Sequence, residues 1–289
     1  MKTVIVTVIY PQVMQFCSDF VSSVNQQSDR NFDLLIVNDS VECPEAILEH
    51  LQVDWFLLDA TGTPAQLRKF AIHHAVEKNY DIIIFADADD VMGKNRVEVV
   101  KQYLINNKII FNELKLFHDC INKAAPYLSK RFIDGDIVTL QDLDNSNCMG
   151  LSNTSLKTEV IRDILNLIPD NIKVFDWLFF NRVLAVGYEA IFTSKTTTYY
   201  RQHHNNMAAP FTLTNDSIIK AVEFKFDHFC SLRDLGPWYE KQAIAFGQLR
   251  EILKEDSFIV QYCEAVRKNS SKYPLWWEPI KLPKELNLC

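Results

Sequence analysis

Apolar and polar positions along the first hundred residues follow two alternating rhythms. Short, almost wholly apolar runs at residues 4–9, 34–37, 55–58 and 82–85 have the length and side-chain content of buried strands. Between the first two, Val13, Phe16, Cys17, Phe20, Val21 and Val24 recur at three- and four-residue spacing, which is the apolar stripe of a helix. Residues 45–51 predict a short helix. Pro64 suits the first turn of another, which carries Leu67, Phe70, Ala71 and Ala75 on one side. Strands apolar on both faces, alternating with helices, predict an α/β fold with a mostly parallel sheet flanked by helices. The strand runs give way to Tyr10, Asp39, Asp59 and Asp87, which such a sheet gathers along its ligand-binding edge.

The later pattern is less regular. Residues 96–106 read as a helix. Residues 107–147, with Asp134, Asp136, Asp142 and Asp144, read as a polar excursion, and 147–152 as the return to the sheet. Helices are expected over 158–167 and 176–186, and strands over 190–193 and 196–200. Three further helical patterns follow from Asp216 onward, before an aromatic, proline-rich tail at 273–279.

Composition narrows the function. Hydrophobic residues make up 48% of the 289 positions, ample for a filled core. A net charge of −7 argues against general nucleic-acid binding, which needs a basic surface. No apolar stretch reaches the roughly 20 residues that cross a bilayer. The opening apolar run is ended by Tyr10-Pro11-Gln12 and lacks a small-residue cleavage site, so a core strand is expected rather than a leader. The seven cysteines show no Cys-x-x-Cys spacing, as expected of reduced thiols in a cytoplasmic protein. Glycine is scarce, with seven in the chain and no glycine-rich phosphate loop. Any diphosphate must therefore be neutralised by other means. Phe85-Ala86-Asp87-Ala88-Asp89-Asp90 supplies one, because crowded carboxylates at a strand end suit Mg²⁺ or Mn²⁺ held against a phosphate-bearing substrate. The competing reading of this segment alone is a solvated acidic turn.

The order of several motifs resembles the family-2 glycosyltransferases, which have the GT-A fold. Tyr10-Pro11 follows the first strand, Asn38-Asp39-Ser40 the second, and Arg68 sits on the helix after Gly62. Asp87-Ala88-Asp89-Asp90 then matches the acidic strand end, Asp176 the second acid of a Glu-Asp pair, and Tyr200-Arg201-Gln202-His203-His204-Asn205-Asn206 the closing Tyr-Arg-x-His motif. Phe175 stands where the family has Glu, and Asn38 where it has Asp. The likeness spans roughly residues 3 to 207. It implies a catalytic domain over 1–212, with a nucleotide-binding half at 1–106 and an acceptor half at 107–212. A helical extension over 213–289 has no counterpart in the family.

The resemblance implies a metal-dependent, inverting transfer of sugar from a nucleotide-sugar donor, most often UDP-linked, to a hydroxyl of a carbohydrate or lipid-linked acceptor. Bacterial cell-surface polysaccharide or glycoconjugate assembly is the setting, in the cytoplasm or at the inner face of the membrane. Asp89 is the expected ligand of Mn²⁺ or Mg²⁺, and Asp87 contacts the ribose or the metal's water. His203 closes the site as a second ligand or phosphate contact, or is a structurally satisfied histidine. Asp90 joins this site or caps the next helix. Asp176 is the general base for the acceptor hydroxyl, a helix cap, or both. Tyr10 and Asp39 face the base and ribose, with a turn role as the rival for Asp39. Arg68 binds diphosphate, braces an acid, or lies on a solvated helix face. Arg201 pairs with phosphate or with an acid. Trp177 stacks on a sugar or fills the core. Trp276-Trp277 touches a membrane or packs against the core. An inactive sugar-nucleotide- or carbohydrate-binding module and a nucleotidyltransferase remain as alternatives.

Overall fold

Side chains leave a strand alternately on its two faces, and here the alternation divides the core in two. Val4 and Val6 of the first strand, with Leu35, Val37, Ile83 and Phe85 of its neighbours, pack into one buried cluster. Ile5 and Ile9, with Leu34, Ile36, Ile82 and Ile84, pack into the other. The computed structural model describes residues 1–161, 163–203 and 213–288. Among these the strands are β1 Thr3–Ile9, β2 Asp33–Asn38, β3 Trp55–Asp59, β4 Ile82–Phe85, β5 Val91–Met92, β6 Ile109–Phe117, β7 Ala125–Pro126, β8 Ile137–Val138, β9 Thr154–Lys157 and β10 Ala190–Arg201. The helices are α1 Cys17–Asn25, α2 Glu45–Leu48, α3 Pro64–Glu77, α4 Arg96–Tyr103, α5 Phe175–Ala185, α6 Asn215–Cys230, α7 Pro237–Ile252 and α8 Asp256–Lys268.

All ten strands share one sheet, with the main path β3-β2-β1-β4-β9-β6-β10-β5. β1 pairs in parallel with β2 and β4, β2 with β3, and β6 with β10. β9 runs antiparallel to both β4 and β6, so those two point the same way. The central sheet is thus mostly parallel, as the apolar strand runs predict. α1 and α4 cover one face through Phe20, Val21, Val24, Val97 and Val100. α3 and α5 cover the other through Leu67, Ala71, Phe175 and Phe179, and apolar residues of α6, α7 and α8 belong to that same cluster. Pro64 opens α3 as expected, with Thr63 and Gln66 forming a reciprocal cap. Phe70 does not join the apolar side of α3 and is 42% exposed.

Several expectations for the middle of the chain are corrected. The supposed excursion at 107–147 contains β6, which lies inside the sheet. Asn112 and Glu113 interrupt its apolar run, yet both are buried with partners. The Asn112 amide donates to Thr198 Oγ1 at 3.1 Å, and Glu113 accepts from the backbone N–H groups of Tyr127, Leu128 and Ser129. The returning strand is Thr154–Lys157 rather than 147–152, because Asn153 closes a turn by accepting from Gly150 N–H at 2.8 Å. In place of a helix over 158–167 there are two short 3-10 turns, Thr158–Val160 and Leu165–Leu167, and Asp163 between them takes φ +67°. The two strands expected at 190–200 are one, with an irregularity between Thr193 and Thr197.

That irregularity touches the acidic segment through Gly93, whose N–H donates to Thr197 O at 2.7 Å. A Cβ on Gly93 would lie 2.8 Å from the same oxygen. Gly93→Ala is therefore expected to lower stability by about 1–3 kcal/mol, since backbone must move to admit the methyl. A urea midpoint equal to wild type would show that β10 yields at no cost.

Candidate active site

The parallel strands end on one edge, and a cavity of about 500 Å³ opens there. Tyr10 and Asp39, which directly follow β1 and β2, and Asp87, two residues beyond β4, line it; Asp59 does not. Asp59, at the end of edge strand β3, instead accepts from the Asn38 amide at 2.8 Å. After β4 the chain turns tightly, with Asp90 N–H bonded to Asp87 O. This turn sends Asp87 and Asp89 to the cavity and Asp90 inward. Asp90 is 2% exposed and accepts from Arg201 N–H at 2.8 Å. It makes no helix cap, since α4 is entered from Asn95. Its role is to join the acidic turn to the end of β10.

Arg201 takes the acid of its two expected partners. Its side chain does not line the cavity. Nε donates to Asp89 O at 2.9 Å, and a terminal nitrogen to Asp19 on α1 at 2.6 Å. The guanidinium sits between the rings of Phe16 and Phe117, 4.7 and 4.6 Å from their centroids. Arg201 thus clamps the acidic turn from behind. His203, two residues on, does reach the site: Nε2 lies 2.9 Å from Asp89 Oδ2, and the ring packs on Phe16. The closing motif continues into His204, Asn205 and Asn206, which lie outside the described residues.

A further part of the wall comes from the start of α5 and the loop before β9. Asp176, in the first turn of α5, accepts from Trp177 N–H at 2.9 Å and from the Asn147 amide at 3.1 Å. It does not cap the helix end, which is entered from Val174. Asp89 and Asp176 line one cavity. Phe175 points into the core and is fully buried, stacked on Phe179. Trp177 is also fully buried, its ring 3.6 Å from that of His228, so it fills the core rather than facing a ligand.

The carboxylates perturb one another. Burial pushes the Asp87 carboxyl up to about 6; Arg68 opposes this, Asp89 and Asp176 add to it, and Arg96 opposes it weakly. Burial also raises Asp176 above the usual carboxylate range, with Arg68 again pulling against it. Asp90 is held well above that range by burial and by Asp89 and Asp87. Arg68 is the cavity's guanidinium, half-buried and 6.0 Å from the Phe175 ring. It faces acids without an ion pair to any of them among the described residues.

Carboxylates with one imidazole are a donor set suited to a divalent ion that takes its remaining ligands from phosphate and water. Among the described residues no three His, Cys, Asp or Glu side chains form a finished cage. Asp89, Asp87 and His203 fit a metal that arrives with its phosphates. Some site residues carry no motif in the sequence. Arg96 is fully buried behind the acidic turn, donating to Phe85 O at 2.7 Å, and its charge acts on Asp87 and Asp90. Asn147, Lys173, Trp276 and Trp277 line the cavity as well. The doubled tryptophan was the one available signal among them.

No helix among the described residues is long and apolar enough to cross a membrane. Cys17, Cys43, Cys120, Cys148, Cys230 and Cys263 are free thiols.

The architecture is shared with solved glycosyltransferases. One is S. aureus TarS 1–349 in complex with UDP-GlcNAc, at TM-score 0.61 and 16% identity, over 85% of this chain and 71% of that one. Another is the mannosyltransferase PcManGT from Pyrobaculum calidifontis with GDP-Man and Mn²⁺, at TM-score 0.57 and 12% identity, over 93% and 76%. A third is GalNAc-T7 with UDP, GalNAc and Mn²⁺, at TM-score 0.54 and 12% identity, over 95% and 58%. At these identities the likeness is one of fold. No family model matches the chain. Among curated proteins, the Signal recognition particle protein of Buchnera aphidicola subsp. Schizaphis graminum is 25% identical over 117 residues, or 37% of this chain. The chain spans about a quarter of that relative's length, 25%.

Proposed function

We propose that the protein is a metal-assisted glycosyltransferase of the inverting, family-2 type, moving a sugar from a nucleotide-sugar, UDP-linked by preference, to an acceptor hydroxyl. One observation carries this reading: a single cavity at the binding edge of the sheet holds Asp87, Asp89, His203 and Arg68 together with Asp176. In this reading residues 1–212 form the catalytic domain, with its nucleotide half at 1–106, and 213–289 the extension.

Leaving of the nucleoside diphosphate builds negative charge, and a bound divalent ion supplies Lewis-acid stabilisation for it. Asp89 and His203 hold that ion and Asp87 faces the ribose or its water shell. Arg68 offers a second positive charge to the phosphates. Tyr10 and Asp39 orient the base and ribose. Asp176, fixed by Asn147, takes the proton from the acceptor hydroxyl as that oxygen attacks the anomeric carbon. Burial raises its pKa, which makes the ionised carboxylate a stronger base. Phe175 buries itself in the core, so Asp176 alone of the two motif positions serves chemistry.

The test is titration of UDP and GDP with Mn²⁺ across pH, followed by a donor panel. A proton on Asp87, whose pKa is about 6, competes with cation binding. Mn²⁺-dependent nucleotide affinity is therefore lost as pH falls through 6, by up to about tenfold per pH unit, and levels off above pH 7. Nucleoside diphosphate should be released from a matching donor. A protein that binds neither nucleotide with Mn²⁺ at pH 7.5 is not a glycosyltransferase.

A further inference from the structure

Trp276 and Trp277 lie a hundred residues beyond Asp176, in a tail that sequence patterns leave without a partner. Both indoles line the cavity that holds Asp176. Each is half-buried and packed against other rings. Trp276 meets Tyr200 edge-on, with centroids 5.8 Å apart and planes at 88°, and Tyr127 at 5.6 Å. Trp277 packs on Trp177 at 6.4 Å and edge-on to Phe224 at 5.4 Å.

The tail is tethered at several points. The Arg131 guanidinium makes two bonds of 2.8 Å to Glu278. The Tyr127 hydroxyl donates to Pro274 O, buried Lys225 to Ile280 O at 2.7 Å, and Tyr262 to Lys281 O at 2.8 Å. Trp277 takes φ +68°, a left-handed conformation that is costly for a bulky side chain. Such strain persists where the surroundings over-determine it, and it clusters at binding sites.

One residue links this wall to the chemistry. Asn147 donates its backbone N–H to Trp276 O at 2.9 Å and its side-chain amide to Asp176 Oδ2 at 3.1 Å. The indole wall and the carboxylate are thus set by the same loop. The indole wall therefore borders the proposed base.

We propose that Trp276 and Trp277, with Tyr200 beside them, form the platform on which a sugar ring of the acceptor lies. An indole face excludes water and accepts the apolar C–H face of a pyranose, leaving ring hydroxyls free to point at Asp176. The acceptor is then a glycoside rather than a simple polyol or a peptide hydroxyl. The tail beyond residue 270 is part of the substrate site. This inference rests on the glycosyltransferase reading above.

The experiment measures transfer from UDP-glucose, UDP-N-acetylglucosamine and GDP-mannose to p-nitrophenyl glucosides, galactosides and mannosides. For a pair that the wild type turns over, Trp276→Ala should raise the acceptor KM about tenfold, as loss of one aromatic contact implies. The donor KM should stay within about twofold. Trp276→Phe, which keeps a face, should recover most of the loss, and thermal melting of both variants separates binding from folding. Equal changes in both KM values, no change in either, a Phe variant as impaired as the Ala variant, or donor cleavage with no glycoside accepted would each overturn the platform and leave the transferase reading intact. A wild type that neither binds nor cleaves any of the three donors removes both.

Discussion

Asp176→Asn should lower sugar transfer by about a thousandfold while leaving Mn²⁺-dependent nucleotide affinity within about twofold. The amide has the shape of the carboxylate and still accepts through its oxygen from Trp177 N–H or from Asn147, the two groups that hold Asp176. What it lacks is the capacity to take a proton. Side-chain general bases contribute about 10²–10⁴-fold, so the loss falls on kcat/KM for transfer. The measurement pairs steady-state turnover with calorimetric nucleotide binding. Full activity in the Asn variant would move the base elsewhere, and loss of nucleotide binding would make Asp176 part of the donor site.

The second large effect is expected at Asp89→Asn. Asp89 and His203 are buried together, their side chains 16% and 12% exposed, and the backbone carbonyl of Asp89 is pinned by Arg201. The substitution keeps this frame and removes one negative charge at the point where a cation would bridge to phosphate. Affinity for UDP in the presence of Mn²⁺ should fall by more than about 100-fold, and UDP binding without metal should change little. Wild-type affinity in the presence of Mn²⁺ would mean that the ion, if bound at all, is held by other groups.

The legibility of the fold in the sequence followed the continuity of its apolar runs. β1, β2 and β4 are mostly apolar and buried on both faces, and β3 is a short apolar run at the sheet edge, so their existence and parallel arrangement could be read directly. β6 is just as deeply buried, but Asn112 and Glu113 interrupt it. Their partners, Thr198 and the amides of 127–129, lie 86 and about 15 residues away in the chain. A polar residue reads as exposed until its hydrogen-bond partner is known, and the excursion expected at 107–147 was the result.

The site was legible to a different degree at each position. Tyr10, Asp39, Arg68, Asp87, Asp89, Asp176 and His203 all line the cavity. Arg201 carries the same motif as His203 and turns away, because Asp19 and the Phe16 and Phe117 rings offer its guanidinium a better place. Trp276 and Trp277 offered only their composition, which is equally consistent with a core, a membrane or a ligand.

The sequence by itself determined the alternating strands and helices, the acidic turn after the fourth strand, and the lack of a glycine-rich phosphate loop. These are local properties, set by side-chain periodicity and by neighbours a few residues apart. Only the tertiary structure decided that Asp90 and Arg201 face inward, that Arg96 lies behind the acids, and that the tail closes the cavity beside Asp176. Each of those outcomes depends on which distant group satisfies a buried charge, hydrogen bond or ring face, and that competition is settled when the chain packs.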